Sequence, residues 1–422
     1  MKITLIAGAR PNFMKVAPII KAIKAHNEGL PVTGDGLRDA NKRIEYRLVH
    51  TGQHYDKNMS DTFFEELGIP APDVNLGCGG GSQAEQTAHI MVAFEKELLE
   101  HPTDVVLVVG DVTSTMACSI VAKKLNTKVC HVEAGIRSWD LTMPEEINRM
   151  VTDSLADYMF TTSDVANRNL MRMGATLMND GMSEAKPLND GMMLEDKYAY
   201  ERVPQRVWHV GNVMIDTLLA NRARFRKPEI WDELKLQEKQ FVVMTMHRPA
   251  NVDEENHLRA MMEQIIDNVH GLPVIFPIHP RTAKLFYGLW KPTPNPSLKG
   301  GEQENDSTIL QERFPNLHIV EPMGYLEFNY LVERAKAVVT DSGGITEETT
   351  VMGVPCITLR DNTERPETCT VGTNELIGTN PAAIKPALDK LFAGEWKKGA
   401  IPELWDGHTS ERIIEILSSL KI

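Results

Sequence analysis

The stretch KITLIAGARPNFMKVAPIIKAI, residues 2–23, decides the fold. Its first six residues form an apolar, β-rich run that predicts a strand, and Gly8 then opens a turn. Beyond the turn, apolar side chains recur at helical spacing, at Phe13, Val16, Ala17, Ile20 and Ile23. A strand, a glycine turn and a helix in this order form the repeating unit of a parallel α/β sheet.

The same alternation continues along the chain. Strands are predicted at residues 46–51, 105–109, 128–132, 158–162, 241–245, 274–277, 318–320, 337–340 and 356–359. The series of strands and helices starts again after about Val210. A chain of 422 residues is also longer than one ordinary hydrophobic core accommodates. We therefore expect two doubly wound, Rossmann-type domains, residues 1–210 and 211–405, with a ligand cleft between them. The last helix, within residues 406–422, could pack on either domain.

Two stretches interrupt the alternation. Residues 171–202 are rich in Met, Asn, Asp and Gly, and residues 291–307 carry Pro-Thr-Pro-Asn-Pro followed by Gly-Gly. Both compositions are typical of surface insertions or mobile loops and not of core segments.

Composition excludes several classes of protein. The N-terminus lacks the apolar stretch and cleavage site of a signal peptide, and the apolar runs fall far short of the about 20 residues of a membrane helix. The net charge of −13 disfavours a general nucleic-acid binder. Five cysteines, without Cys-x-x-Cys spacing, are typical of reduced thiols. We expect a cytoplasmic protein with neither nucleic acid nor membrane as a partner.

The sequence Asp341-Ser342-Gly343-Gly344 follows a predicted strand and opens a helix. Glycines at a helix N-terminus let backbone N–H groups approach a phosphate closely. Glu348, one helical turn further on, could accept the hydroxyls of a ribose. This pattern predicts a nucleotide site without a Walker lysine. The alternative is an ordinary glycine-rich turn capped by Ser342.

Cations recur just past the predicted strand ends. They are Arg10 and Lys15 in the first domain, and His247, Arg248, Arg281, Arg360 and Arg365 in the second. Each arginine taken singly is more simply a solvated or ion-paired surface charge. Their repetition at strand ends favours a site for a diphosphate.

Acids occupy equivalent places in the first domain. Asp111 follows strand 105–109 and Glu133 follows strand 128–132, which puts both at one rim of the sheet. Glu145 and Glu146 follow Pro144. One of the two is expected to be a first-turn acid that complements the helix dipole, and the pattern leaves open which.

His247 comes just after strand 241–245, where it could act on a proton or a phosphate. His54 and His279 are more simply solvated loop residues. No cluster of His, Cys and Asp has metal-ligand spacing, and Gly8-Ala9-Arg10-Pro11 fails the Gly-x-Gly-x-x-Gly test. Neither a metal nor a nicotinamide cofactor is expected.

Five motifs, in order along nearly the whole chain, resemble the non-hydrolysing UDP-N-acetylglucosamine 2-epimerases. They are Gly8-Ala9-Arg10-Pro11, His131-Val132-Glu133-Ala134-Gly135-Ile136-Arg137, Pro144-Glu145-Glu146-Ile147-Asn148-Arg149, Asp341-Ser342-Gly343-Gly344 and Thr363-Glu364-Arg365-Pro366-Glu367. The resemblance implies a GT-B-like α/β fold of two Rossmann-type domains, whose final helix crosses back onto the first. It also implies a UDP-sugar substrate and a homodimer.

The resemblance carries functional residues over motif by motif. Substrate contacts fall on Arg10, Lys15, Asp111, Glu133, His247, Met323 (through its backbone, to uracil), Phe328, Ser342, Gly343, Gly344, Glu348 and Arg365. The catalytic residues would be Asp111, Glu133, Glu145 and His247. The family's chemistry eliminates UDP across C1 and C2 to a 2-acetamidoglucal, then adds it back with the opposite face of C2 protonated. Its product supplies surface polysaccharides.

The sequence also departs from the family pattern. Thr346 stands where many relatives carry Gln, and Asn12 where Glu is common. A related branch acts on UDP-2,3-diacetamido-uronic acids, and the stretch Gly79-Gly80-Gly81-Ser82-Gln83 could serve either sugar. The sequence is also compatible with a hydrolysing epimerase, a GT-B glycosyltransferase or a binding regulator that has lost catalysis. Such a regulator is not expected to keep the four catalytic residues together.

Overall fold

A computed structural model of the chain describes residues 1–31, 42–52, 68–179, 183–184, 205–278, 286 and 313–420. The chain divides into two compact units. The first unit comprises Met1–Asn221 and Glu403–Ile422, and the second comprises Arg222–Pro402. The change of unit therefore comes later than the boundary predicted at about Val210, and the last helix belongs to the first unit.

The first unit is built on a nearly all-parallel sheet. Its strands are β1 (Lys2–Ala7), β2 (Glu45–His50), β3 (Val74–Asn75), β4 (Val105–Val109), β5 (Lys128–Val132), β6 (Tyr158–Thr161), β7 (Thr176–Asn179), β8 (Ser183–Glu184) and β9 (Arg206–His209). They lie in the order β3-β2-β1-β4-β5-β6-β9-β7-β8, and β8 runs antiparallel to β7. All five residues of β4 are buried, as expected for a parallel strand covered on both faces.

Helices connect these strands. They are α1 (Arg10–Gly29), α2 (Gln83–Glu100), α3 (Thr113–Lys124), α4 (Pro144–Leu155), α5 (Asp164–Arg172), α6 (Val213–Arg222) and the C-terminal helix (Thr409–Ser419), which packs on α1. The C-terminal helix is anchored by Asp216 of α6, whose carboxylate accepts hydrogen bonds from the backbone N–H groups of Thr409 (3.1 Å) and Ser410.

The second unit repeats the plan with six parallel strands among the described residues. They are β10 (Val242–Thr245), β11 (Val274–Pro277), β12 (Leu317–Val320), β13 (Ala337–Thr340), β14 (Cys356–Thr358) and β15 (Asn374–Leu376), in the order β12-β11-β10-β13-β14-β15. The helices are α7 (Glu229–Glu233), α8 (Pro249–Val252), α9 (Glu255–Asn268), α10 (Tyr325–Arg334), α11 (Gly343–Met352), α12 (Pro366–Thr370) and α13 (Ile384–Phe392), with a 3₁₀ turn at Pro381–Ala383.

Each sheet reverses its strand order beside its own first strand. The reversal lies between β1 and β4 in the first unit and between β10 and β13 in the second. Ligands of open α/β sheets bind outside the carboxyl ends of the strands at such a switch point. The residues that follow these four strands are therefore the first place to look for a site in each unit.

The predicted α/β class with two doubly wound parallel sheets is confirmed. The interpretation of residues 171–202 as loop is wrong in part, because Thr176–Asn179 forms β7 and pairs with β9 through Leu177 and Val207. Residues 180–182 and 185–202, and all of 291–307, lie outside the described residues. Within the described ranges, none of the helices has the length and apolar character needed to cross a membrane.

Candidate active site

The carboxyl ends of β4 and β5 bring Asp111 and Glu133 to one edge of the first sheet. The two strands are parallel neighbours, and the Gly110 N–H donates to the carbonyl of Val132 (3.0 Å). Glu133 is 3% exposed and has a left-handed backbone, with a φ of 70°. A non-glycine residue in this region is strained, and strained residues cluster at functional sites. The strain singles out Glu133 as a candidate for chemistry.

Lys15 of α1 pairs directly with this glutamate. Its Nζ lies 2.6 Å from Glu133 Oε2, and its side chain is 13% exposed. Gly110 has a φ of 70°, and a Cβ at this position would come within 3.2 Å of Lys15 Nζ. The absence of a side chain at Gly110 therefore provides space for the Lys15–Glu133 ion pair. The lysine predicted to face a diphosphate thus lies beside a carboxylate and balances its charge.

Asp111 is held by Arg149 of α4. Arg149 Nη1 lies 2.7 Å from Asp111 Oδ2, and its Nη2 lies 3.0 Å from Glu146 Oε2. The Asn148 amide also donates to the Asp111 carbonyl (2.8 Å). The Arg149 side chain is 4% exposed, whereas that of Asp111 is 34% exposed. Asp111 is thus fixed by the helix and still open to a ligand.

The structure separates the two glutamates that begin α4. Glu146 is fully buried and accepts hydrogen bonds from the backbone N–H groups of Ser138 (2.9 Å) and Trp139 (3.2 Å). Glu145 is exposed in the first turn of the helix. Glu146 therefore anchors the preceding loop, and Glu145 is the one that solvent or a ligand can reach.

A buried charged cluster ties these elements together. His131 Nδ1 lies 2.7 Å from Asp153 Oδ1, and its Nε2 lies 2.9 Å from the Gly110 carbonyl. Asp153 also accepts from the Gly135 N–H (3.1 Å) and pairs with Arg137 (2.6 Å). Burial alone would raise the pKa of Asp153, but the positive charges and hydrogen bonds of His131 and Arg137 outweigh it and lower that pKa.

The stretch Gly79-Gly80-Gly81-Ser82-Gln83 leads into α2. Ser82 is the N-cap residue, and its hydroxyl accepts a hydrogen bond from the Glu85 N–H (3.3 Å) while its own N–H donates to Glu85 Oε2 (2.8 Å). The hydrogen bonds from Ser82 lower the pKa of Glu85. Ser82 is explained by this capping box, so it does not distinguish the two candidate sugars.

In the second unit, Ser342 is the N-cap residue of α11, and Gly343 and Gly344 form the first turn. Within the described part of the chain, the Ser342 hydroxyl makes no capping hydrogen bond. The simple alternative of a serine-capped turn therefore lacks its defining contact. A helix N-terminus presents backbone N–H groups and a partial positive charge, which suit a phosphate.

Glu348 lies within the same helix and is 5% exposed. The hydroxyl of Tyr325 in α10 donates to its Oε1 (2.9 Å). Burial raises the pKa of Glu348 to about 7, although the hydrogen bond from Tyr325 acts in the opposite direction. Glu348 can therefore change its protonation state near neutral pH.

His247 and Asp341 meet at the switch point of the second sheet. His247 Nδ1 lies 2.9 Å from Asp341 Oδ1, and the Arg248 N–H donates to Asp341 Oδ2 (2.9 Å). Burial alone would raise the pKa of Asp341, but the hydrogen bonds from His247 and Arg248 outweigh it and lower that pKa.

Two of the predicted arginines are already ion-paired. Arg360 contacts both carboxylate oxygens of Glu364 at 2.9 Å, and Arg365 pairs with Glu347. Their charges are balanced within the unit, whereas the N-terminus of α11 and the exposed side chain of His247 are two described groups that could face a diphosphate.

The other predicted contacts divide into two groups. Met323 and Phe328 are half-buried and pack against the core cluster that contains Phe241. His54, His279, Arg281 and the side chain of Arg10 lie outside the described residues.

Sequence reasoning gave no role to several residues of these networks. They are His131, Arg149, Asp153, Tyr325 and Asp341. Asp341 directly follows β13, so the strand-end rule that selected Asp111 could have found it. His131 lies within a strand and Asp153 within a helix, where a polar residue gives no comparable signal.

Comparison with known proteins identifies the family of the chain. The sequence model of the family described as UDP-N-acetylglucosamine 2-epimerase matches residues 38–418. A UDP-N-acetylglucosamine 2-epimerase of Methanocaldococcus jannaschii is 36% identical over 428 residues, which cover 99% of each chain. A UDP-2,3-diacetamido-2,3-dideoxy-D-glucuronate 2-epimerase of Pseudomonas aeruginosa is 33% identical over 422 residues, 100% of each chain.

A solved structure is also similar to the chain over almost its whole length. The crystal structure of the Methanocaldococcus jannaschii UDP-GlcNAc 2-epimerase in complex with UDP-GlcNAc and UDP matches with a TM-score of 0.76 at 34% identity, over 99% of each chain. The chain belongs to the UDP-N-acetylglucosamine 2-epimerase family.

Proposed function

We propose that this chain interconverts UDP-N-acetylglucosamine and UDP-N-acetylmannosamine by inverting C2, without hydrolysing the sugar from UDP. The observation that carries the proposal is the set of carboxylates in the first unit. Asp111 is held by Arg149, Glu133 is paired with Lys15, and Glu145 is exposed. Inversion needs one group that removes a proton and another that returns one to the opposite face.

The chemistry begins at C1. The C2 proton has no adjacent carbonyl to acidify it, so departure of UDP must precede or accompany its removal. The bond from C1 to the phosphate oxygen breaks, its electron pair leaves with UDP, and a carboxylate takes the C2 proton as the C1–C2 double bond forms. In the second half, C2 is protonated on its other face while UDP re-forms the bond to C1. Asp111, Glu133 and Glu145 carry these proton transfers in the proposal.

UDP needs stabilisation as it departs. In the proposal, the Gly343 and Gly344 N–H groups and His247 bind the developing charge on the diphosphate. Glu348 takes the ribose, and Met323 and Phe328 take the uracil. The ion pairs of Arg360 and Arg365 support assigning the diphosphate to these groups, because the charges of those two guanidinium groups are already balanced by glutamates.

A second candidate is a C2 epimerase of UDP-2,3-diacetamido-uronic acid. The Pseudomonas aeruginosa relative favours it, since it is 33% identical along the whole chain. The two candidates share the reaction at C1 and C2 and differ in the substituents at C3 and C5.

The test incubates the purified protein with each UDP-sugar in deuterated water and follows C2 and the anomeric signals by NMR. The proposal predicts that UDP-N-acetylglucosamine gives UDP-N-acetylmannosamine with deuterium at C2 and the diphosphate attached. Turnover of the diacetamido-uronic acid alone would replace the first candidate by the second. Free sugar appearing in step with UDP would overturn the non-hydrolysing assignment.

A further inference from the structure

The pair formed by Asp341 and His247 carries a role beyond simple binding. Asp341 directly follows β13 and His247 follows β10, and these parallel neighbours flank the reversal of strand order. The Asp341 side chain is fully buried, whereas the His247 side chain is 56% exposed. One partner is thus locked inside the unit and the other faces solvent.

Four donor groups converge on the Asp341 carboxylate. Oδ2 accepts the backbone N–H groups of His247 (3.0 Å) and Arg248 (2.9 Å) and the side-chain amide of Asn251 (3.1 Å). Oδ1 lies 2.9 Å from His247 Nδ1. Asn251 is itself held by the carbonyl of Leu359 (3.0 Å). The carboxylate therefore has little freedom to rotate.

The consequence for the imidazole follows from donor and acceptor chemistry. An ionised carboxylate only accepts hydrogen bonds, so the His247 nitrogen that faces it must carry a proton. The proton on Nδ1 fixes the tautomer, and Nε2 is then the ring nitrogen that makes no hydrogen bond to Asp341.

We propose that Asp341 is a positioning residue for the reaction. It holds the Nδ1–H form of His247, so that Nε2 is presented to the diphosphate of the substrate. The identity of the ligand, a UDP-sugar diphosphate, rests on the proposed function. The tautomer of His247 does not depend on that identity. The competing explanation is that Asp341 only braces the turn that leads into α8, through the backbone N–H groups.

Asp341→Asn separates the two explanations. The single oxygen of asparagine best replaces Oδ2, which serves three of the donors, and this puts the amide NH₂ opposite His247 Nδ1. The amide then donates to Nδ1, and the neutral ring must carry its proton on Nε2. The turn keeps its backbone contacts, so a bracing role alone predicts little change.

The first readout is the ¹⁵N spectrum of histidine-labelled protein, recorded without substrate. The chain has 13 histidines, so the His247 signals are assigned by their loss in His247→Asn. We expect a protonated Nδ1 in the wild type, and protonation on Nε2 alone in Asp341→Asn at a pH of about 8.5, where an ordinary imidazole is neutral. A wild-type Nδ1 without a proton would overturn the proposal even if Asp341→Asn failed to fold.

The second readout is the rate of epimerisation. Asp341→Asn should lower kcat at least about 10²-fold with KM changed only a few-fold, the size of losing one preorganised transition-state contact. The double variant should be no slower than His247→Asn, because the two residues act as a unit. Asp389→Asn, an exposed aspartate of α13, is the matched control and should keep the wild-type rate.

Two results would contradict the positioning role. One is wild-type kcat in Asp341→Asn, and the other is a double variant whose loss equals the product of the single losses. If the wild type epimerises neither UDP-sugar, the proposed function fails, and the ¹⁵N spectrum still decides the relationship between the two residues.

Discussion

Lys15 Nζ and Glu133 Oε2 lie 2.6 Å apart, and the glutamate that receives this cation is 3% exposed in a left-handed backbone conformation. A buried carboxylate needs a partner, because its desolvation is costly. The strand-end rule selected both residues but assigned them to different tasks, the lysine to phosphate and the glutamate to proton transfer. Their direct pairing places Lys15 beside one of the carboxylates to which the proposed mechanism assigns proton transfer.

Lys15→Met should therefore damage both stability and catalysis. Removing one partner of a buried pair costs about 3–5 kcal/mol, and we expect a loss of this order in urea unfolding together with at least about 10²-fold lower kcat. Lys24→Met, on the exposed face of the same helix, should change neither. Wild-type kcat in Lys15→Met would show that the pair is not needed for the reaction.

Glu145 and Glu146 should respond in opposite ways to replacement by glutamine. Glu145→Gln should reduce kcat about 10²-fold or more and leave the urea midpoint unchanged, because the side chain is exposed. Glu146→Gln should cost about 2 kcal/mol of stability, because the buried carboxylate accepts from Ser138 and Trp139 and pairs with Arg149. The reverse pattern would exchange the two roles.

Gly110→Ala should disturb the Lys15–Glu133 pair, since its Cβ would come within 3.2 Å of Lys15 Nζ. Backbone strain of a non-glycine residue at positive φ costs about 1–2 kcal/mol by itself. Gly174→Ala is the control for that strain, because its φ is 92° and its Cβ would meet no described atom within 4 Å. We expect a larger stability loss in Gly110→Ala than in Gly174→Ala, and a rate reduced at least about 10-fold in Gly110→Ala alone. Equal epimerisation rates in Gly110→Ala and Gly174→Ala would show that a Cβ at position 110 does not affect catalysis.

Glu348 should make the unfolding free energy depend on pH near neutrality. Its pKa is raised from 4.5 in an exposed carboxyl to about 7, first by burial, so the folded state binds the proton more tightly than the unfolded state. The stability from this proton is present below about pH 4.5 and is lost as the pH rises through 7. The wild type should therefore lose stability between about pH 5 and pH 8 relative to Glu348→Gln. Glu321→Gln, at an exposed position, should keep the wild-type slope.

Much of the fold could be predicted because the parallel strands are continuous apolar runs. Strands β1, β4, β5, β11 and β13 have the predicted bounds. The sequence does not predict β3, β7, β8, β9 and β15, because each has only two to four residues and no long apolar run. The change of unit at Arg222 comes later than the predicted boundary, because α6 has the sequence pattern of an ordinary connecting helix.

In the candidate site, the positions of residues could be predicted better than the pairings of their side chains. Asp111 and Glu133 follow strands of the same sheet, so their neighbourhood could be predicted from topology. The pairing of Arg149 with Asp111, and of Arg365 with Glu347, depends on side-chain direction from separate elements. Motif spacing contains no such information, and for this reason charge balance was the part of the site that the sequence predicted least well.

The most direct test of the account follows the bond between C1 and its phosphate oxygen. UDP-N-acetylglucosamine labelled with ¹⁸O in that bridging position is incubated with the protein, and ³¹P NMR reports where the label lies. Elimination and re-addition predict that the label moves into the non-bridging positions of the β-phosphate while deuterium from solvent enters C2. Inversion at C2 with the label still in the bridge would contradict the account, because departure of UDP makes the labelled oxygen one of three equivalent oxygens on a β-phosphate that can rotate before re-addition.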